Sequence, residues 1–201
     1  GDVHVSAGEY VDGKIYTYQV EFGDFTEIYP YGWTVYDAET LNVLSENTSQ
    51  QSNRVVDMAY DYTTNTMYAL VEDKYNTGKV AQTSLYAVDL ATGDYRLIGS
   101  PGELKAINGY GNLDDDGLIT LACNAQGQLY AMSHYRYLYK MDKFTGKVND
   151  DAPQHNLGTA EQFQSMAFDS DGTLWWAQAH PSYGHFCDVD LTTGIPGGFV
   201  D

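Results

Sequence analysis

Hydrophobic and polar positions along this chain alternate, or fall into short blocks of β-branched and aromatic residues separated by clusters of Gly, Asn and Asp. That is the rhythm of strands, whose successive side chains point to opposite faces, and no stretch keeps the 3.6-residue period of an amphipathic helix. Within 54–110 the pattern predicts strands at Val55 to Asp61, Thr66 to Val71, Ser84 to Leu90 and Tyr95 to Gly99. The links Thr63-Thr64-Asn65 and Ala91-Thr92-Gly93 read as hairpin turns in which Asn or Gly supplies a positive φ.

The same pattern returns four times. An Ala is followed eight or nine residues later by an aromatic at Ala7 to Tyr16, Ala59 to Tyr68, Ala122 to Tyr130 and Ala167 to Trp175. A second segment follows each first one and holds an Asp at 37, 89, 142 and 190, spaced 52, 53 and 48 residues apart. In the last three units a Gly stands four residues after that Asp, at 93, 146 and 194. A carboxylate there accepts backbone N–H bonds across a turn, so the spacing has an architectural cause. Four-stranded units recurring at about 50 residues are the signature of β-propeller blades. The fold predicted is therefore all-β, a single propeller domain over 1–201 with four four-stranded antiparallel blades near 1–53, 54–110, 111–160 and 161–201. Either the four blades close a ring or they form part of a larger propeller. The Pro-bearing end Gly194 to Asp201 makes a poor outer strand, for which Asp2 to Ser6 is an alternative source.

Leu85-Tyr-Ala-Val-Asp-Leu-Ala-Thr-Gly93 resembles the repeat of the quinoprotein-type (PQQ-like) propellers, and Met166-Ala-Phe-Asp-Ser-Asp-Gly-Thr-Leu-Trp175 is similar to the NHL and SMP-30 style of blade. The resemblance covers all four units and implies blade architecture. The quinoprotein repeat closes with a Trp soon after Thr-Gly, where this chain has Arg96-Leu97-Ile98 and Lys147-Val148-Asn149. It therefore does not carry over PQQ, and no cofactor is expected. The acidic, Tyr-rich composition also resembles secreted or surface propellers of gut Bacteroidetes.

Tight turns join first to second and third to fourth strands, which leaves one plain end. The second-to-third links and the connections between units are longer and gather at the other end, where loops on a rigid scaffold concentrate function. Those links contain Phe22, Phe25, Tyr29, Tyr31 and Trp33 in unit one, Tyr75 in unit two, His134, Tyr135, Arg136 and Tyr137 in unit three, and Trp176, His180, Tyr183 and His185 in unit four. Tyr31, Trp33, Tyr75, His134, Tyr135, Tyr137, Trp176, His180, Tyr183 and His185 form the predicted ligand-binding set, whose rings suit stacking on sugars or anchoring a protein segment. Tyr130, Tyr139 and Trp175 are expected in the core. His134, His180 and His185 meet the ligand count of a zinc site but lack its usual spacing, so no metal ligand is assigned. Asn112 to Gly117 and Asn149 to Asp151 read as solvated acidic turns.

Composition narrows the partners. With 28 Asp+Glu against 10 Lys+Arg, a net charge of −18 disfavours nucleic acid and anionic membrane surfaces. A chain that is 43 % hydrophobic nevertheless buries a core. No run has the length of a membrane span and no signal peptide opens the sequence, so an extracytoplasmic protein would have lost its signal. Cys123 and Cys187 read as small core residues. The functional expectation is a non-enzymatic, extracytoplasmic binding propeller for carbohydrate or a protein segment, self-associating if its ring is incomplete. The alternatives are a glycoside hydrolase or polysaccharide lyase using loop His with Glu72, Asp73, Glu103 or Glu161, and a structural module of a larger assembly.

Overall fold

A computed structural model describes residues 2–23, 28–48, 53–72, 82–102, 104, 117–134, 136–148, 164–180 and 183–198, with 28, 179, 180, 183 and 185 described by backbone alone. Fourteen strands and no helix occur among them. No helix there is long and apolar enough to cross a membrane.

The strands form four antiparallel sheets in sequence order. The first holds β1 (Val3–Val11), β2 (Lys14–Phe22), β3 (Ile28–Asp37) and β4 (Val43–Asn47). The second holds β5 (Val55–Asp61), β6 (Thr66–Glu72), β7 (Thr83–Val88) and β8 (Tyr95–Gly99). The third has β9 (Leu118–Cys123), β10 (Leu129–Ser133) and β11 (Leu138–Met141), and the fourth has β12 (Gln164–Phe168), β13 (Leu174–His180) and β14 (Tyr183–Val189). Each sheet is an up-and-down meander. Among the described residues the expected fourth strand is one bridge in each of the last two sheets, Met141 to Val148 and Val189 to Pro196. In the last sheet Pro196 has no N–H to extend the ladder. The N-terminal segment is no outer strand for the last unit, because Val3 to Val5 pair with Gln19 to Glu21 inside the first sheet.

The sheets stack face to face in chain order, and each contact is a separate apolar layer. Ala7, Tyr16, Tyr18, Trp33 and Val35 of the first sheet meet Met58, Met67, Ala69 and Val88 of the second. On the second sheet's other face Ala59, Tyr68, Leu70 and Leu85 meet Leu121, Leu129, Ala131 and Tyr139 of the third. Ala122, Tyr130, Met132 and Leu138 then meet Met166, Leu174, Trp176, Cys187 and Val189 of the fourth. Interior sheets are thus buried on both faces, and their strands read as apolar runs. The first strands stand side by side, β1 against β5, β5 against β9 and β9 against β12. No comparable packing returns from β12 to β1 among the described residues.

The recurring Asp fixes the plain end. Asp89 accepts the Ala91 N–H at 2.8 Å, Asp142 those of Phe144 and Thr145 at 2.8 and 3.0 Å, and Asp190 those of Thr192 and Thr193 at 2.7 and 2.8 Å. The glycine four residues on does more than permit its φ of 77° or 74°: a Cβ on Gly93 would stand 2.4 Å from Trp33 of the first sheet, and one on Gly146 2.4 Å from the Gly99 carbonyl of the second. Each turn is pressed against the preceding sheet.

Candidate functional site

At the long-link end the strands finish in buried polar groups. Arg54, just before β5, pairs with Glu72 at the end of β6, both more than nine-tenths buried. The Glu72 amide also donates to the Arg54 carbonyl at 3.0 Å. Burial raises the Glu72 carboxyl and the Arg54 guanidinium opposes that rise. Thr83, opening β7, crosses to the third sheet and donates to the Leu118 carbonyl at 2.9 Å.

The β10–β11 hairpin is the best-defined link of this end. Ser133 donates its amide to the Tyr137 carbonyl at 2.9 Å, and the Arg136 amide donates to Ser133 at 2.8 Å. The His134 amide reaches the Gly117 carbonyl at 2.9 Å. Arg136 closes the turn in the left-handed region, φ 61°, where Gly or Asn fits at lower cost. Its guanidinium lies 5.6 Å from the Trp176 ring centroid on the fourth sheet, a cation–π contact that accounts for an arginine at this position. The Trp176 indole N–H donates to Gln164 Oε1 at 2.6 Å. Gln178, two residues along β13, is 3 % exposed, and its Oε1 accepts no hydrogen bond among the described residues.

These placements revise the predicted binding set. Trp33, Tyr137 and Trp176 are each 1 % exposed and belong to the inter-sheet layers. They do not present a ring face to a ligand: strands β3 and β13 carry Trp33 and Trp176 inside, and Tyr137, just before β11, packs in the layer between the second and third sheets. Tyr31 lies in β3, half-buried, and His134 is half-buried in the hairpin. His180, Tyr183 and His185 belong to strands β13 and β14, where His180 pairs with Tyr183 and Gln178 with His185. Tyr75 and Tyr135 lie outside the described residues, as do Asp73, Glu103, Glu161 and the two acidic turns apart from Gly117. Trp175, expected in the core, is half-buried on the far face of the fourth sheet. Sequence patterning does not mark Arg54, Gln164 or Gln178; an arginine within the four-residue link between β10 and β11 is the one signal for Arg136. No cluster of His, Cys, Asp or Glu suited to a metal ion occurs among the described residues.

A second polar group lies on the first strands and holds the sheets together. Asp57 of β5 accepts the Thr120 hydroxyl at 2.5 Å, the Leu121 amide at 2.8 Å and the Met58 amide at 2.9 Å, tying the second sheet to the third. Burial pushes its carboxyl up to about 7 against those three hydrogen bonds. Glu9 of β1 is raised to about 8, by burial first and then by the Asp57 charge. At the plain end Lys143 reaches Asp61 at 2.5 Å, again from third sheet to second. Burial raises Asp61, yet the hydrogen bonds from Lys143, Thr63 and Thr64 outweigh it and hold the carboxyl well below the usual range. Both cysteines are free thiols, Cys187 buried and Cys123 partly so, and burial pushes Cys123 up to about 12, out of the reactive range.

No family model and no curated protein matches the chain in sequence. Solved structures match its fold. A protein of unknown function from Bacteroides thetaiotaomicron aligns with a TM-score of 0.61 at 13 % identity, over 94 % of this chain and 42 % of its own. The major allergen Mala s 1 of Malassezia sympodialis aligns at 0.60 and 9 % identity, over 96 % and 62 %. A luciferin-regenerating enzyme aligns at 0.50 and 12 % identity, over 98 % and 76 %. All three are all-β proteins of propeller-like fold. The chain spans less than two thirds of the length of the Bacteroides protein and of the allergen.

Proposed function

We propose that the chain is an arc of four β-propeller blades whose long-link end binds a neutral carbohydrate, in an extracytoplasmic setting. The period of about 50 residues, the four stacked meanders and the propeller-like neighbours support the architecture. The observation that carries the binding role is a contrast between the two ends. At the plain end the turn carboxylates of Asp89, Asp142 and Asp190 are consumed by their own backbone. At the long-link end Gln178 is buried with an unused acceptor, on the same sheet as the tryptophan beneath Arg136. Buried polar groups are ordinarily satisfied, so the vacant Gln178 acceptor suits the hydroxyl of a ligand. Tyr29, 49 % exposed at the same end, supplies a ring face for stacking on a sugar. The net charge of −18 favours a neutral over an acidic glycan.

A glycan array followed by titration calorimetry tests this reading. Wild-type protein is expected to retain neutral glycans, with Arg136→Ala and Tyr29→Ala each weakening binding about 10-fold or more, the scale of one lost charged hydrogen bond or stacking contact. Gln178→Leu separates binding from folding: it removes a buried unsatisfied group and is expected to hold or raise stability, by up to about 1 kcal/mol, while reducing affinity. An array without neutral-glycan binding, or variants that bind like wild type, overturns the proposal.

A further inference from the structure

At the plain end the first two sheets leave an aromatic corner between their hairpin turns. β1 and β2 are joined by Asp12 and Gly13, both at positive φ, 48° and 81°, as the tightest hairpin turns require. Glu9 is paired with Tyr16 just above this turn, and Tyr16 lies with Val11 in the apolar layer between the first and second sheets. From the second sheet Tyr60 packs on the same layer, and Tyr62 opens the β5–β6 turn. Their rings stand 82° apart with centroids at 4.8 Å, so they form two walls at a right angle. Tyr62 is 56 % exposed, and packing leaves much of its ring unused.

Negative charge converges on this corner. Burial first, and then the Asp12 charge, push up the phenols of Tyr16, Tyr60 and Tyr62, and Glu9 adds to the rise at Tyr62. The Asp12 backbone amide opposes that rise by hydrogen bonding, which holds the Tyr62 hydroxyl against the turn of the first sheet. Asp89, Asp142 and Asp190 spend their carboxylates on the amides of their own turns. The exposed Asp12 carboxylate does not: among the described residues it accepts no hydrogen bond and pairs with no cation, Lys14 of the same hairpin included. The face of an aromatic ring is electron-rich, and two orthogonal rings beside an unspent carboxylate attract a cation from two sides. A bulky alkylated ammonium carries its charge diffusely and loses little hydration against the rings, whereas a primary ammonium is strongly hydrated. The net charge of −18 draws cations to the whole surface, and the rings choose among them. We infer that Tyr60, Tyr62 and Asp12 form a binding site for a quaternary or methylated ammonium group. It lies at the opposite end from the long links and stands whether or not those bind carbohydrate.

Titration calorimetry with choline tests it, beside dimethylbutanol, the neutral carbon isostere of choline. Wild-type protein is expected to bind choline at least about 5-fold more tightly than the isostere, because only the cation is drawn by the rings and the carboxylate. Tyr62→Ala should weaken choline about 5-fold or more, while Tyr62→Phe keeps a ring face and should stay within about 2-fold. Asp12→Asn keeps the turn, since Asn tolerates the left-handed region, and should weaken binding and flatten its dependence on salt. A trimethyl-lysine peptide and phosphatidylcholine vesicles present the same group on a polypeptide and on a membrane, and the tightest of the three probes identifies its source. Wild-type protein that binds none of them overturns the inference. So does an isostere bound as well as choline, a comparison that needs no variant, and so does a choline affinity that Tyr62→Ala leaves unchanged.

Discussion

Gly93 shows how one residue can serve a turn and an interface at once. It takes a φ of 77° and leaves room for Trp33, while its carbonyl accepts the Tyr18 hydroxyl at 2.6 Å. Gly93→Ala imposes backbone strain and a clash with a fully buried indole, and should cost about 2–3 kcal/mol, lowering the melting temperature by about 5–10 °C. Thermal denaturation followed by circular dichroism checks it. Glu9 and Asp57 make the second residue-scale case. Both carboxyls hold their proton more tightly when folded, at about 8 and about 7. Between the unfolded carboxylate range near pH 4 and pH 8 the folded chain therefore binds more protons than the unfolded one, and stability falls as pH rises through that window. Denaturant unfolding at pH 5 and pH 8.5 should show the decline, and Glu9→Gln should flatten it, which general self-repulsion of an acidic chain would not permit.

At the scale of strands and turns the sheets are tied by charge as well as by apolar layers. Lys143 belongs to the third sheet's turn, and Asp61, whose side chain is fully buried, ends β5 of the second. Lys143→Met strands that carboxylate, so the loss should be about 2–4 kcal/mol, more than a surface ion pair would give. Unfolding by urea measures it, and Lys143→Arg should restore most of the difference. The strands of the second sheet were legible in the sequence almost to the residue, because each is bounded by a turn whose chemistry is local. The upper ends were not legible: β3 and β13 continue through residues that read as links, and so Trp33 and Trp176 were taken for loop rings when they are core. The pair Trp175-Trp176 shows a deeper reason. Where both faces of a sheet are covered, alternation does not say which face meets which neighbour. Trp175 occupies a position that is buried in the three earlier units, where the next sheet packs over it, and is half-buried here.

At the scale of the molecule, the sheet-on-sheet packing among the described residues runs between sequence neighbours, so stability is close to a sum of sheet and nearest-neighbour terms. The outer sheets have one apolar layer each where the inner two have two. The buried polar site residues, Arg54, Glu72 and Gln178, belong to the second and fourth sheets, and no sequence period marks them. Glu72 was among the carboxylates the sequence singled out, but Arg54, its partner just before the neighbouring strand, and Gln178 were not, because a single Gln or Arg at a strand end carries no pattern.

The three tryptophans of the chain have fallen in three separate places: Trp33 between the first and second sheets, Trp176 between the third and fourth, and Trp175 on the far face of the fourth sheet. Single-tryptophan variants therefore turn the molecule's own emission into three local reporters. Trp33 reads the loosening of one end of the stack and Trp176 of the other. Trp175 alone should be open to an aqueous quencher such as acrylamide.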